Sequence, residues 1–327
     1  MKNFSIELKS SLARLKAAGA LAPSVAFAVF AISYVLINPK LLSPLQLQTS
    51  FNLVTPLALA ALAQLIVVVS GGIDISIGAT MGLVNVSFAL AMVDQPTPLA
   101  LAIAIGVGLL IGLVNGVLIA YGQLPPIAVT LSMFFIVGAL TRELMDRPGG
   151  GITFEFSQAA AGQLFPFLPT SALWLTLIAV ALWAVMHKTN LGRSIFAAGS
   201  SPDGLEATGI SYRRTILLTY VLSGLIAALA AIMLAASTLT GDPRAGDAYL
   251  LNSIAAVALA GVSFAGGRGS ILGTIFAAMI LALISSLLFF AGVNSNWSFV
   301  ISAVIVIAVV GLPALARNFS SWKAGRS

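Results

Sequence analysis

The 327-residue chain contains no cysteine, and only 8% of its residues are charged. Without thiols it can form no disulfide, iron–sulfur cluster or thiolate zinc site. Ordinary soluble domains carry about 25% charged residues, so this chain has too little polar surface to cover a water-soluble globule. With 59% hydrophobic residues and a mean hydropathy of +1.05, the composition indicates an all-α membrane protein that crosses the bilayer many times.

Catalytic motifs are also missing from the sequence. It contains no G-x-x-x-x-G-K-[ST] phosphate loop, no zinc-ligand spacing and no Ser/His/Asp set. The single histidine, His187, lies at a predicted helix end, where a cation is favoured. The pI of 9.9 comes without interleaved aromatic and basic residues, which argues against a nucleic-acid partner. We therefore expect a chain that is not an enzyme and holds no metal.

Ten apolar segments give the membrane topology. A spanning helix needs roughly 20 apolar residues, and most of the prolines, which interrupt helices, fall between the segments. The candidate spans cover residues 21–38, 53–69, 77–93, 98–121, 127–143, 171–187, 214–236, 249–264, 271–291 and 298–315.

Positive charge supports an even number of spans. Lysine and arginine favour the cytoplasmic side during insertion. With both termini inside, twelve of the sixteen Lys and Arg residues fall on the inner side, and the outer gaps hold only Lys40, Arg142, Arg147 and Arg244. The outer gaps also collect acidic residues, including Asp242 and Asp247. The sequence thus predicts about ten transmembrane helices with cytoplasmic N- and C-termini, in one transmembrane domain over residues 1–327 of a multi-pass membrane protein.

Glycines recur in two patterns. Gly108, Gly112 and Gly116 are four residues apart on one predicted helix face, a spacing that lets helix backbones approach closely. Two Gly-Gly turns join predicted helices, with Gly71, Gly72 and Asp74 in the first and Gly266 and Gly267 in the second. This pair of turns hints at an internal duplication of the kind common in transporters. We interpret the five residues of these turns as a gating or hinge motif.

Asp74 has three possible roles. A carboxylate between apolar segments is costly unless it is paired or wet. Asp74 could cap the next helix at a simple cytoplasmic turn, or it could belong to a broken element that lines a transport path. It could also couple transport to an ion gradient.

The longest connection predicted on the inner side is the segment 188–213, which we interpret as a cytoplasmic coupling loop. Within it, Pro202 and Asp203 are typical of the start of a short helix, and Gly209 is typical of its end. Arg193 precedes this short helix, and Arg213 and Arg214 follow it. Such a helix either docks on a soluble partner or is an ordinary connection.

At several points the sequence resembles the permease subunits of ABC importers for ribose and related monosaccharides. The matching residues occur in the same order over nearly the whole chain: SGGIDIS at 70–76, Pro126 followed by IAVTL, Leu191-Gly192-Arg193 with Ala197-Ala198-Gly199, the run 207–210, and Gly266-Gly267-Arg268-Gly269. Permeases for nucleosides or branched-chain amino acids share the general plan but usually differ at the SGGID-like stretch.

The resemblance implies the ABC importer permease fold, with residues 1–327 as a single permease domain in a bacterial inner membrane. It also implies a set of partners. These are two cytoplasmic ATP-binding subunits, a second permease that is the same or a homologous chain, and a periplasmic sugar-binding protein within a lipid bilayer. ATP and Mg would be used by the partner subunit, and no cofactor would be bound by this chain. The resemblance places ATPase coupling at Pro202, Asp203, Glu206, Ala207 and Gly209. Ser201 and Thr208 depart from the residues common in this family, but both are small.

A sugar path needs polar groups but little charge. Candidates within or beside the predicted helices are Asn85, Asn115, Thr130 and Asn252, whose side chains can exchange hydrogen bonds with hydroxyls. Each is equally suited to holding two helices together. The alternative function is an ion-coupled secondary transporter of a small polar solute, with Asp74 as the coupling carboxylate. The shortage of intramembrane ionisable residues counts against it.

Overall fold

The computed structural model describes residues 21–37 and 42–290, together with the single positions 297, 300 and 304. The described part is helical apart from one small hairpin. Its helices are α1 (Leu21–Ile37), α2 (Pro44–Val69), α3 (Ile77–Asp94), α4 (Thr97–Ala120), α5 (Pro126–Leu144), α6 (Phe154–Ala161), α7 (Thr170–Lys188), α8 (Asn190–Ser200), α9 (Pro202–Ala207), α10 (Tyr212–Thr238), α11 (Asp247–Leu259) and α12 (Ile271–Phe290). The strands β1 (Gln163–Phe165) and β2 (Leu168–Pro169) pair antiparallel.

Proline marks the first turn of four of these helices. It occupies one of the first two positions of α2, α4, α5 and α9. The first turn of a helix has no intrahelical acceptor for its N–H groups, so proline costs no hydrogen bond there. At α2, the Ser43 hydroxyl also accepts a hydrogen bond from Gln46 N at 3.4 Å. Apart from α2, the described helices that correspond to predicted spans begin within two residues of the predicted start.

The core is built around α2 and α10. Helix α2 is buried without a break from Val54 to Val69, and α10 packs against α4, α2 and α3. The glycine row of α4 allows this approach, because a Cβ at Gly108 would lie 2.6 Å from the carbonyl oxygen of Gly224 on α10. The packing role predicted for Gly108, Gly112 and Gly116 is therefore confirmed.

The bundle has two ends, which we name for their features. The hairpin end carries α6, β1 and β2, and it is tied to α2 because Gln48 Nε2 and Asn52 Nδ2 both donate to Ala161 O, at 2.8 and 2.9 Å. The coupling end carries α8, α9 and both Gly-Gly turns. The outer stretch predicted at 144–170 as a connection thus contains a short helix and a hairpin.

Six described helices are long and apolar enough to cross a membrane, namely α2, α3, α4, α5, α7 and α10. This agrees with a multi-pass membrane protein. Helix α2 begins nine residues earlier than the predicted span 53–69, because Ser43 and Pro44 start it. The predicted last span, 298–315, and both termini lie outside the described residues, so the ten-helix count and the inner position of the termini stay predictions.

One predicted span is wrong in form. Residues 249–264 do not make a continuous helix. Helix α11 covers only Asp247–Leu259, and residues 260–270 form a turn. The prediction that Asp242 and Arg244 lie in an outer gap between spans is also wrong. The stretch before α11, which includes both residues, lies along the side of α3, as shown by the hydrogen bond from Asp242 N to Asn85 Oδ1 at 2.8 Å.

Candidate functional site

Two short helices follow α7 at the coupling end. The Thr189 hydroxyl accepts a hydrogen bond from Gly192 N at 3.3 Å and starts α8. The Ser201 hydroxyl accepts one from Gly204 N at 3.1 Å and starts α9. Gly209 follows with a φ of +81°, a conformation that favours glycine and ends the helix. The predicted short helix beginning at Pro202 is confirmed.

Helix α9 presents its polar residues outward. The predicted coupling residues are all exposed, namely Pro202, Asp203, Glu206, Ala207 and Gly209. Leu205 is the exception: it is only 3% exposed and belongs to an apolar cluster with Val67, Val129 and Tyr220. One leucine thus anchors α9 to the bundle while the rest of the helix is free to contact another protein. The docking role of these residues stays a prediction.

Three backbone segments meet directly behind α9. We call this contact the glycine junction, formed by residues 69–72, 199–200 and 266–269. Gly267 N donates a hydrogen bond to Val69 O at 2.8 Å. A Cβ at Gly199 would overlap Val69 O and would lie 2.6 Å from Gly267 N. Both Gly-Gly turns predicted as a gating motif therefore contact the C-terminal end of α8, two residues before the cap of α9.

The backbone of the junction also requires glycine. Gly71 and Gly266 have φ values of +90° and +87°, in the left-handed region that side chains other than glycine rarely adopt. A Cβ at Gly71 would lie 3.8 Å from the Cα of Gly199. The structure thus brings together the residues predicted as a hinge. Their part in gating stays a prediction.

Asp74 lies at the centre of a buried polar cluster in the turn between α2 and α3. Its Oδ1 accepts hydrogen bonds from Ser76 N at 2.9 Å and from Ser76 Oγ at 2.6 Å. Ser76 Oγ in turn accepts one from Asn115 Nδ2 at 2.8 Å. Within the described part of the chain, Asp74 has no ion-pair partner. The carboxylate therefore orders the turn before α3, but the N-cap residue of α3 is Ser76 and not Asp74.

Burial raises the pKa of the Asp74 carboxyl, and the hydrogen bonds from Ser76 oppose this rise. The Ser223 hydroxyl also lowers the pKa of this carboxyl, although it makes no hydrogen bond of ordinary geometry. The net result is a carboxyl that holds its proton more tightly in the folded protein than in the unfolded chain.

Two substitutions of Asp74 distinguish the contribution of its hydrogen bonds to stability from the contribution of its charge. We expect Asp74→Ala to lower the free energy of unfolding by about 2 kcal/mol, because the buried N–H and hydroxyl of Ser76 lose their acceptor. Asp74→Asn keeps an acceptor oxygen and should lose less. Thermal unfolding of the purified variants in detergent measures both effects. An equal loss of unfolding free energy in the two variants would show that the hydrogen bonds to Ser76 do not stabilise the fold.

The comparison of native protein with Asp74→Asn should also depend on pH. A pKa raised on folding stabilises the folded state fully below the unfolded value of 3.8, and this contribution is lost as pH rises through the folded pKa. The stability of the native protein relative to Asp74→Asn should therefore fall as pH rises from about 4. Unfolding midpoints across a pH series check this, and a relative stability that rises with pH would contradict it.

The four candidate path residues have different surroundings. Asn85 Oδ1 accepts a hydrogen bond from Asp242 N, and Asn115 binds Ser76. The Thr130 hydroxyl donates to Pro126 O at 2.9 Å and lies 3.3 Å from Ile73 O. These three side chains are at most 1% exposed and connect separate elements. Asn252 is half-buried on α11. Contact of any of the four with a substrate stays a prediction.

Sequence analysis did not identify Gly199 as a site residue. The signal was present, since a glycine inside a helix costs stability and usually has a packing reason. Gly199 stands inside a helical pattern after two alanines. The sequence could not show which backbone it contacts, because Val69 and Gly267 are far from it in the chain. Among the described residues, no group of three or more His, Asp or Glu side chains is arranged to hold a metal ion.

Comparison with known proteins shows the family of this chain. The family model described as branched-chain amino acid transport system / permease component matches residues 46–310. The chain belongs to this permease family. The match includes both Gly-Gly turns, the Asp74 cluster and the helices α8 and α9. No solved structure matches the chain significantly.

Individual relatives cover most of the chain. The permease is 32% identical over 294 residues to the ribose import permease protein RbsC of Bacillus subtilis, covering 89% of this chain and 91% of the relative. It is 31% identical over 299 residues to the autoinducer 2 import system permease protein LsrD of Salmonella typhimurium, covering 89% of each. It is 31% identical over 272 residues to RbsC of Escherichia coli K12, covering 80% and 82%.

The relatives narrow the class of transporter. They are permease subunits of ABC importers, which are non-catalytic and depend on a separate ATPase subunit. The family membership therefore supports the ABC permease hypothesis over the ion-coupled alternative. It also explains why the chain has no phosphate-binding loop of its own.

Proposed function

We propose that this permease forms the path by which a monosaccharide enters a bacterial cell through the inner membrane. The observation that carries the proposal is the match over 89% of the chain to a relative named as a ribose import permease. The substrate would be delivered by a periplasmic binding protein. A second permease, either the same chain or a homologue, would complete the path.

The energy for import would come from cytoplasmic ATP-binding subunits that use ATP and Mg. Helix α9 is suited to dock on such a subunit, because it is exposed at Asp203 and Glu206 and held in place by the buried Leu205. The present chain would bind no cofactor. Residues 188–213 would act as the coupling loop, and the bundle as one permease domain.

The geometry supports a route for coupling. Closure of the ATPases would move α9, and α9 is separated from the glycine junction by only Ser201, the residue that caps it. Because the junction packs backbone against backbone, the movement passes to the ends of α2 and α12. ATP binding would thus shift the population between outward- and inward-facing states, by binding one of them more tightly.

The first experiment is to co-purify the permease with a candidate ATPase subunit and reconstitute both in lipid. ATP hydrolysis is then measured with and without a binding protein loaded with D-ribose. Stable co-purification and hydrolysis that rises with the loaded binding protein are expected. Failure to associate, together with solute uptake that follows a proton gradient, would instead establish the ion-coupled alternative.

A further inference from the structure

Residues 239–246 run alongside α3 without forming a helix, with Gly241, Pro243 and Gly246 buried and Arg244 exposed. It follows one face of α3 in steps of three or four residues. A Cβ at Gly241 would lie 2.7 Å from the Cβ of Ala89, and one at Gly82 would lie 3.5 Å from Pro243 O. The stretch therefore descends from the hairpin end alongside α3.

The descent continues to the start of α3. A Cβ at Gly78 would lie 2.6 Å from the carbonyl oxygen of Gly246 and 3.1 Å from Leu250 N. The eleven residues between Gly78 and Ala89 correspond to a rise of about 16 Å along a helix. Asn85, which binds Asp242 N, stands at the middle of α3. The non-helical stretch thus reaches at least half the depth of the bundle.

Helix α11 completes the crossing. Its 13 residues extend about 20 Å, whereas a hydrocarbon core of about 30 Å requires roughly 20 helical residues. The non-helical stretch, which contains turns over residues 243–246, and α11 together form one broken span. Non-helical backbone is tolerated at membrane depth only where protein surrounds it or where it lines a water-filled cavity.

Two ionisable side chains lie on the open side of this broken span. Arg244 and Asp247 are exposed, and so are Ala248 and Leu251, which follow at helical spacing. Within the described part of the chain, neither Arg244 nor Asp247 has an ion-pair partner. A charged side chain at this depth is too costly to face lipid. This face, defined by Arg244, Asp247, Ala248 and Leu251, must therefore face water or another protein.

We propose that this face lines the translocation path and that Arg244 and Asp247 bind the hydroxyl groups of the sugar. Only the choice of a sugar as the substrate rests on the proposed function. A guanidinium donates hydrogen bonds and a carboxylate accepts them, so the pair can satisfy a hydroxyl that does both. Leu251, 71% exposed, supplies an apolar contact for the C–H groups of the same ring.

The first test measures water access and needs no substrate. Because the chain has no cysteine, single cysteines report one position each. Asp247→Cys and the milder Ala248→Cys should react with the charged reagent methanethiosulfonate ethylsulfonate in the full transporter. Val180→Cys is the matched control, since Val180 is 58% exposed near the middle of α7 and should face lipid. Positions 247 and 248 as unreactive as position 180 would overturn the proposal.

The second test measures transport. Asp247→Asn should lower D-ribose uptake about tenfold, because a charged acceptor is replaced by a neutral one, and hydrogen bonds to charged groups are roughly twice as strong. Asp146→Asn is the control, since Asp146 is 82% exposed at the hairpin end and should transport normally. Unchanged uptake by Asp247→Asn would overturn sugar binding at this residue. If the native transporter imports no D-ribose but the cysteines react, the path assignment stands and only the proposed substrate fails.

Discussion

Gly199→Ala should reduce sugar uptake by about 100-fold, the upper range for loss of coupling between two sites. The added methyl group would overlap Val69 O and lie within 2.6 Å of Gly267 N. Both neighbours are backbone atoms, so neither can rotate away as a side chain would. The three segments of the glycine junction must separate, and we expect a loss of about 3 kcal/mol in the free energy of unfolding.

Gly106→Ala provides the matched control for this prediction. Gly106 also lies within a helix, but a Cβ there would meet nothing within 4 Å. Uptake in proteoliposomes and thermal unfolding should both remain at native values in this variant. Native uptake by Gly199→Ala, at equal amounts of protein in the membrane, would show that the junction does not transmit movement from α9.

Glu206→Arg should weaken association with the ATPase by about 100-fold, because reversing a charge in a docking surface costs several kcal/mol. Glu206 is exposed on α9 and makes no ion pair among the described residues. The membrane fold should therefore stay intact. Co-purification with the ATPase, followed by ATP-driven uptake, measures the effect.

Glu155→Arg is the control for the charge reversal. Glu155 is also exposed, in the first turn of α6 at the hairpin end, far from the coupling segment. It should retain native association with the ATPase. If Glu206→Arg binds the ATPase and imports sugar as well as Glu155→Arg does, α9 is not the docking surface.

Helix starts were predictable because their signals are local. Pro202 begins α9 as the sequence indicated, and α5 begins at Pro126, one residue before the predicted span 127–143. Both signals act through the first turn of the helix, so no distant contact is needed to interpret them. The glycine row of α4 was equally readable, because a four-residue repeat places small residues on one face of any helix.

The broken span was not predictable in the same way. Residues 249–264 are apolar enough to suggest a continuous helix. However, α11 ends at Leu259 and is preceded by the non-helical stretch. The decisive contact joins Asp242 N to Asn85 Oδ1, across 157 positions of the chain. Hydropathy records how apolar a segment is, but not which distant side chain satisfies its backbone.

The sequence by itself determined that this protein is a polytopic helical membrane protein, because composition and segment length act locally along the chain. Its motifs showed the resemblance to ABC importer permeases for the same reason. The tertiary structure alone decided which residues meet. It joined the two Gly-Gly turns to Gly199 through Val69 O and Gly267 N, and it placed Arg244 and Asp247 beside a broken span. These contacts depend on close packing between segments distant in sequence, which no local pattern encodes.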